Sequence, residues 1–466
     1  MDEIRQAPDN ILSFIDYMNR LVQSEYTIGH AVAFDPYHVG IIRNQLTKNL
    51  GVMFSSVREE IAQAFEENLA LAGHEWTSVP ALETMMKIVC RSTNRACVGL
   101  PLCRNEDYLK IQAEFTVEVV KAGVIINMFP DSLKPCRLLT NVPSYIDRAT
   151  RHIGPIVEER RARMKEAKEV GDKWNEKPND VLSWVMDEAP ENGQDARSIT
   201  LRILTVNFAA VHTTTNSLTF ALYRLAANPQ YAEVLREELQ SIMEEGQGSG
   251  SKSEPSKFGW TKATMQRLYR MDSFLKECQR IDGLGIVTIT RVARQPFTFS
   301  SPVYPSSPVD GLTLPKGTIL SSAAQAIHMD PEVYPDPEVF DPWRFSRMRE
   351  TAMGYNRSIM KGKQDEQGKE SRAEPEEDVR WQLVNTTLEY LPFGYGKHSC
   401  PGRFFAANEM KIVLAHIVSE YDLKLDQDYL TKRNGNKSKG EYPQNFHLGP
   451  FLVPGKARLM FRRKEQ

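Results

Sequence analysis

Apolar residues recur along most of this chain at the spacing of helices that bury one face. Residues 11–75 read as helices with short breaks, opening on the amphipathic stretch Ile11-Leu12-Ser13-Phe14-Ile15-Asp16-Tyr17-Met18. A helical pattern follows Arg91–Arg104 and runs to about Ile125, and residues 144–171 form a strongly charged helix with a solvated face. From Ser198 a long apolar helix passes through Leu204, Val206, Phe208 and Ala209. Its pattern is interrupted by Val211-His212-Thr213-Thr214-Thr215-Asn216-Ser217 before resuming at Leu218. A threonine hydroxyl can bond the carbonyl four residues back and bend a helix, so Thr213 is expected to reach Ala209 and open the ladder there. Strand-like alternation is confined to Gly285–Ala293, with a hairpin signal over Leu312–Leu320 and last strands around Phe446–Pro450. The pattern predicts a mainly α chain with a small β part.

Composition narrows the class. The chain has 466 residues, 41% of them hydrophobic, which suffices for a large core. A net charge of −2 gives no basic field for nucleic acid. The six cysteines show no disulfide-dense spacing, which favours a reducing compartment. The first residues are polar, and no apolar run approaches the roughly 20 residues of a membrane span. Two stretches, near 244–257 and 354–379, read as flexible surface insertions within one domain spanning 1–466.

The candidate chemistry lies in Phe393-Gly394-Tyr395-Gly396-Lys397-His398-Ser399-Cys400-Pro401-Gly402-Arg403. Gly394 and Gly396 permit a tight turn, whose amide N–H groups can point at the Cys400 sulfur and hold negative charge on it. Pro401 and Gly402 lead into a helix-forming run whose amino end favours an anion beside it. A lone sulfur held in this way suits the proximal ligand of a haem iron. The plainer reading is a buried cysteine after a turn. A zinc site built on His398 and Cys400 lacks a second Cys/His pair at ligand spacing.

This stretch resembles the cysteine loop of the cytochrome P450 family, the haem-thiolate monooxygenases. Phe393, Gly396, Cys400 and Gly402 match the family's Phe-x-x-Gly-x-x-x-Cys-x-Gly. The resemblance extends over about residues 1–463. It implies the family's mostly helical body with a small β-sheet part, holding haem b (iron protoporphyrin IX). Cys400 is then the axial ligand, Phe393, Gly394, Gly396 and Gly402 shape the cofactor loop, and Arg43, Arg291 and His398 contact the haem propionates. Ala209–Thr214 resembles the family's oxygen-handling pattern, Ala/Gly-Gly-x-Asp/Glu-Thr-Thr/Ser, which assigns Thr213 and Thr214 to oxygen activation. Here Ala210 stands for Gly and His212 for the acid, so His212 either relays protons in the acid's place or fills space. Glu277, Arg280 and Arg344 match the family's buried Glu-x-x-Arg set and its third partner.

The implied activity is insertion of one oxygen atom from O2 into a lipophilic small molecule, with electrons from NADPH through a flavin reductase. Phe208, Ala209, Val287, Ile289 and Leu448 are the expected apolar pocket residues. The wording is similar to fungal members of secondary metabolism, including those acting on terpenoids. Two other classes stay open: a haem-thiolate isomerase or dehydratase that needs no O2, which His212 keeps in play, and a non-catalytic truncated remnant. Eukaryotic members of the family usually sit on the endoplasmic reticulum facing the cytosol, behind an amino-terminal anchor, a hinge and first strands. None of these precedes the motifs here, so the chain as written is expected in the soluble or peripheral fraction.

Overall fold

A computed structural model describes residues 2–71, 73–134, 140–171, 174–248, 260–300, 309–351, 379–434, 442–443, 445–448 and 451–465. Of the two expected insertions, 249–257 and 354–378 lie outside the described residues. The longest helix, Ala196–Ala227, is the axis of the fold. Its start is capped by the Asp195 carboxylate, which accepts from the Ser198 N–H at 2.9 Å, and Arg224 lies in its last turn, where the dipole favours a cation. Around it pack the helices Ala81–Cys97, Glu106–Asn127, Val142–Val170 and Tyr269–Ile281. Ile203, Leu218, Leu222, Ile88, Phe274 and Val413 meet in one large apolar core. Each such side chain contributes about 1.5–3 kcal/mol by leaving water.

The polar run in the middle of this helix does not interrupt it: the helix is continuous from Ala196 to Ala227. The reason is that its hydroxyls are satisfied within the helix. Thr205, Thr213, Thr215 and Thr219 each donate to the carbonyl four residues earlier, at 2.7–2.8 Å. The buried Asn207 donates to the Ile203 carbonyl and accepts from Asn94, whose own amide oxygen accepts from Tyr108. This chain of hydrogen bonds ties three helices together without leaving those amides unpaired.

The β part consists of small antiparallel sheets. Thr288–Ala293 is the middle strand of one, between Leu12–Ser13 and Ile319–Ser322. Arg458–Arg463 is the middle strand of another, between Thr77–Pro80 and Tyr421–Leu425. Phe446–Leu448 pairs with Phe451–Val453. The hairpin signal over Leu312–Leu320 resolves differently from its expectation. Pro315 and Gly317 do turn the chain, but Thr313–Leu314 pairs with Phe297–Thr298 and Ile319–Ser322 with Thr288–Ala293. Each arm finds its ladder on an earlier strand, a choice that local turn chemistry does not encode. Among the described residues, no helix is long and apolar enough to cross a membrane.

Glu277 lies at the centre of a buried ionic network. Its carboxylate accepts from Arg280 at 2.8 Å twice, from Arg344 at 3.2 Å and from the Asp341 N–H at 3.1 Å. The side chains of Glu277 and Arg280 are fully buried. Both arginines also donate to carbonyls, Arg280 to His328 and Arg344 to Pro335. The network thus welds the Tyr269–Ile281 helix to two segments that follow it. Glu277→Ala strands two guanidinium groups and is expected to cost roughly 3–5 kcal/mol. The expected result is loss of soluble protein or a much lower thermal midpoint; a wild-type midpoint contradicts the role.

Candidate active site

The cysteine loop is built by its backbone. The Cys400 N–H donates to the Phe393 carbonyl at 2.8 Å, and the Gly394 N–H to Leu391 at 2.8 Å. Gly394 and Gly396 sit at φ +67° and +78°, in the left-handed region where glycine carries no Cβ penalty. At Gly396 a Cβ would also collide with the Arg5 side chain. The loop then runs into the Arg403–Glu420 helix, whose N-cap, Gly402, offers no side-chain cap. The Arg403 N–H donates to the Cys400 carbonyl at 3.5 Å, and the Gly402 and Arg403 amides favour negative charge on the nearby Cys400 sulfur. Helix amides that need an acceptor thus find one in the residue that needs donors. Burial raises the Cys400 thiol above its ordinary range, while those amides and the Arg403 charge oppose the rise. A cation on the sulfur completes what the amides begin.

Two arginines from distant parts of the chain, Arg43 and Arg291, gather around this loop beside its own His398. Arg43 donates to the Lys397 carbonyl at 3.0 Å. Arg291 is buried, lies over the Phe14 ring at 5.4 Å and donates to its neighbour's carbonyl, Thr290 O. His398 lies beside the same Phe14 ring, 5.8 Å between centroids, and its Nε2 is 2.8 Å from Asp9. Burial lowers the His398 pKa, Asp9 opposes that, and the nearby Arg291 charge adds to it. A haem brings an iron that takes a sulfur ligand and two carboxylates that require cations. The lone sulfur with its amide donors, and a buried Arg291 that makes no salt bridge among the described residues, fit that group. Arg5, over the Tyr395 ring at 4.9 Å, and Asp9 close the amino-terminal side of the loop.

The central helix presents its residues on different faces. Ala209 and Thr213 are exposed in the middle of an otherwise buried helix, and the Thr213 hydroxyl donates to Ala209 at 2.8 Å. Thr214, expected beside Thr213 in oxygen handling, is 4% exposed and turned into the core; one residue along a helix is a rotation of about 100°. His212, expected either to relay protons or to fill space, has its Nε2 2.7 Å from the Ala113 carbonyl on the neighbouring Glu106–Asn127 helix. Burial lowers its pKa. Among the expected pocket residues, Phe208 and Val287 are half-buried. Ile289 instead packs with Ile4, Ala7 and Leu12, because a bulge between Thr288 and Arg291 turns it, at φ +53°, toward the amino-terminal segment. Leu448 is 60% exposed on its hairpin.

Asp9, Arg5 and Tyr395 were not singled out in the sequence. Asp9 is 389 residues from His398 and belongs to no motif, so only the fold brings the two together.

A helical body around one central helix, with a single cysteine at the start of a late helix and cations about its loop, defines a haem-thiolate protein. The family model for cytochrome P450 matches residues 38–440. The chain belongs to the cytochrome P450 family, and with it to the monooxygenase class of oxidoreductases. It is 36% identical over 469 residues to cytochrome P450 monooxygenase 151 of Postia placenta, covering 100% of this chain and 83% of that one. It is 33% identical over 432 residues to cytochrome P450 monooxygenase 1 of Gibberella fujikuroi, covering 91% of this chain and 84% of that one. The crystal structure of the cytochrome P450DA heme domain superposes with a TM-score of 0.64 at 15% identity, covering 100% of this chain and 86% of that one; it shares the fold.

Cys400→His keeps a potential iron ligand but donates less charge than a thiolate. The expected outcome is a folded protein whose reduced, CO-bound spectrum has lost the red-shifted Soret band of thiolate ligation. An unchanged band removes Cys400 from the iron.

Proposed function

We propose that this chain uses haem b, bound through Cys400, to insert one oxygen atom from O2 into a lipophilic small molecule. The electrons come from NADPH through a flavin reductase. The setting is fungal secondary metabolism, with a terpenoid among the candidate substrates. The observation that carries this reading is the Cys400 sulfur at the start of the Arg403–Glu420 helix, beside Arg43, Arg291 and His398. The fungal relatives, named as monooxygenases, support it.

Bound haem supplies the activation of O2 and the transfer of an oxygen atom. The residues do the rest. The amides at the start of the Arg403–Glu420 helix hold charge on the sulfur. Arg43 and Arg291 would hold the two carboxylates of the group, with His398 as a further donor. Phe393 covers the loop from within the core cluster. Phe208 and Ala209 border the substrate with apolar surface. The Thr213 hydroxyl gives its hydrogen to the Ala209 carbonyl, and so presents the lone pairs of Oγ1 on the exposed face of the helix, an acceptor that would hold a proton-bearing water. His212, the feature that favoured a rearrangement without O2, is engaged with Ala113, so no observation supports that second reading.

Thr213→Val keeps the shape and removes the hydroxyl. NADPH consumption of similar order is expected, with more hydrogen peroxide and less product per NADPH. Product and peroxide are assayed together on holoenzyme with reductase. Unchanged coupling takes Thr213 out of proton handling.

A further inference from the structure

We infer that His212 is a positioning residue, a clasp that holds the Glu106–Asn127 helix at a set distance from the central helix, and not a carrier of protons. The geometry is specific. Nε2 is 2.7 Å from the Ala113 carbonyl oxygen, an atom that only accepts, so Nε2 carries the hydrogen. Ala113 lies within a continuous helix, and its carbonyl has a second lone pair free for a donor from outside. With Nε2 tied to a carbonyl that cannot pass a proton on, only Nδ1 is left to exchange one, so no path runs through the ring from one nitrogen to the other. The burial of the imidazole, which lowers its pKa, disfavours the charged state that a relay must visit.

The same two helices also meet through apolar side chains: Ile111, Phe115, Ala122 and Ile126 pack with Ile146 and Ala149 and with Leu204 of the central helix. Tyr145 donates to Glu114 at 3.0 Å, and Asn127 donates to the Arg20 carbonyl at 3.0 Å near the far end. Ala113 faces roughly opposite that apolar side. At helical spacing its own face continues as Val117, Val120 and Val124, which are 41%, 38% and 59% exposed. The clasp therefore stands where a packed helix meets an uncovered apolar stripe. It is one residue from Thr213, which is on the exposed face of the central helix. Fixing Ala113 to His212 sets the spacing of the two helices next to Thr213.

The test uses holoprotein variants. His212→Leu removes the donor, His212→Asn keeps an amide too short to reach, and His212→Gln keeps a donor of similar reach. Hydrogen exchange of the amides in 110–118 is followed by mass spectrometry, with the Ala81–Cys97 helix as internal control. Loss of one such hydrogen bond should speed exchange about fivefold in the Leu and Asn variants. The Gln variant should exchange like wild type, and the control helix should not change. The second readout, which alone rests on the haem-thiolate reading, is peroxide formed per NADPH consumed with reductase and no added substrate. The clasp predicts a wild-type ratio in His212→Gln. Unchanged exchange in both His212→Leu and His212→Asn overturns the clasp. Restored exchange in His212→Gln with a peroxide ratio as altered as that of His212→Leu overturns it in favour of a relay. If the monooxygenase reading itself fails, wild-type protein lacks the red-shifted reduced-CO band, while the exchange result still decides the clasp. If His212→Leu does not fold, His212→Asn against His212→Gln makes the same comparison.

Discussion

A sulfur partly withdrawn from water stays uncharged unless something holds its charge, and the loop that carries Cys400 is built around that constraint. Burial alone pushes the Cys400 thiol upward. Against it stand the amides of Gly402 and Arg403, at the start of a helix whose dipole favours an anion there. The positive φ of Gly394 and Gly396 serves the same end, since it folds the chain tightly enough for the Cys400 N–H to reach Phe393. The loop is therefore costly in backbone terms and is braced elsewhere.

That bracing is ionic as well as apolar. Glu277 holds Arg280 and Arg344 with no exposure, and both guanidinium groups spend their remaining donors on carbonyls. A second buried pair, Asp272 with Lys411 at 2.7 Å, joins the Tyr269–Ile281 helix to the helix that follows Cys400. Fully satisfied networks of this kind add little net stability compared with an apolar core, but they admit one arrangement and punish others. That property suits a loop that must deliver a single atom to a fixed place.

The central helix meets two demands with one rotation per residue. Thr214 and Thr215 face the core, His212 faces a neighbouring helix, and Thr213 remains on the exposed side. Four consecutive residues of the polar run, 212–215, therefore serve three different surroundings. Back-bonding of hydroxyls to carbonyls lets those residues sit in a long helix without breaking it.

The cysteine loop, the long helix and the Glu277 set are legible in the sequence because their determinants are contiguous or periodic. A glycine-rich turn, a cysteine and a helix start lie within eleven residues, and a Glu and an Arg three apart share a helix face whatever else the chain does. The mainly α character is legible for the same reason, since hydrophobic period reports local geometry. The partners are not. Asp9 meets His398 across 389 residues, and His212 meets Ala113 across 99. Ile319 pairs with Val292 and not with its near neighbour Thr313. Ile289 turns toward the amino-terminal segment at a bulge that no local signal marks. Such pairings depend on which surfaces remain unsatisfied once the helices have packed. Residue type and spacing therefore determine what Cys400, Thr213 and His212 are able to do, and tertiary packing alone decides which of their neighbours each one faces.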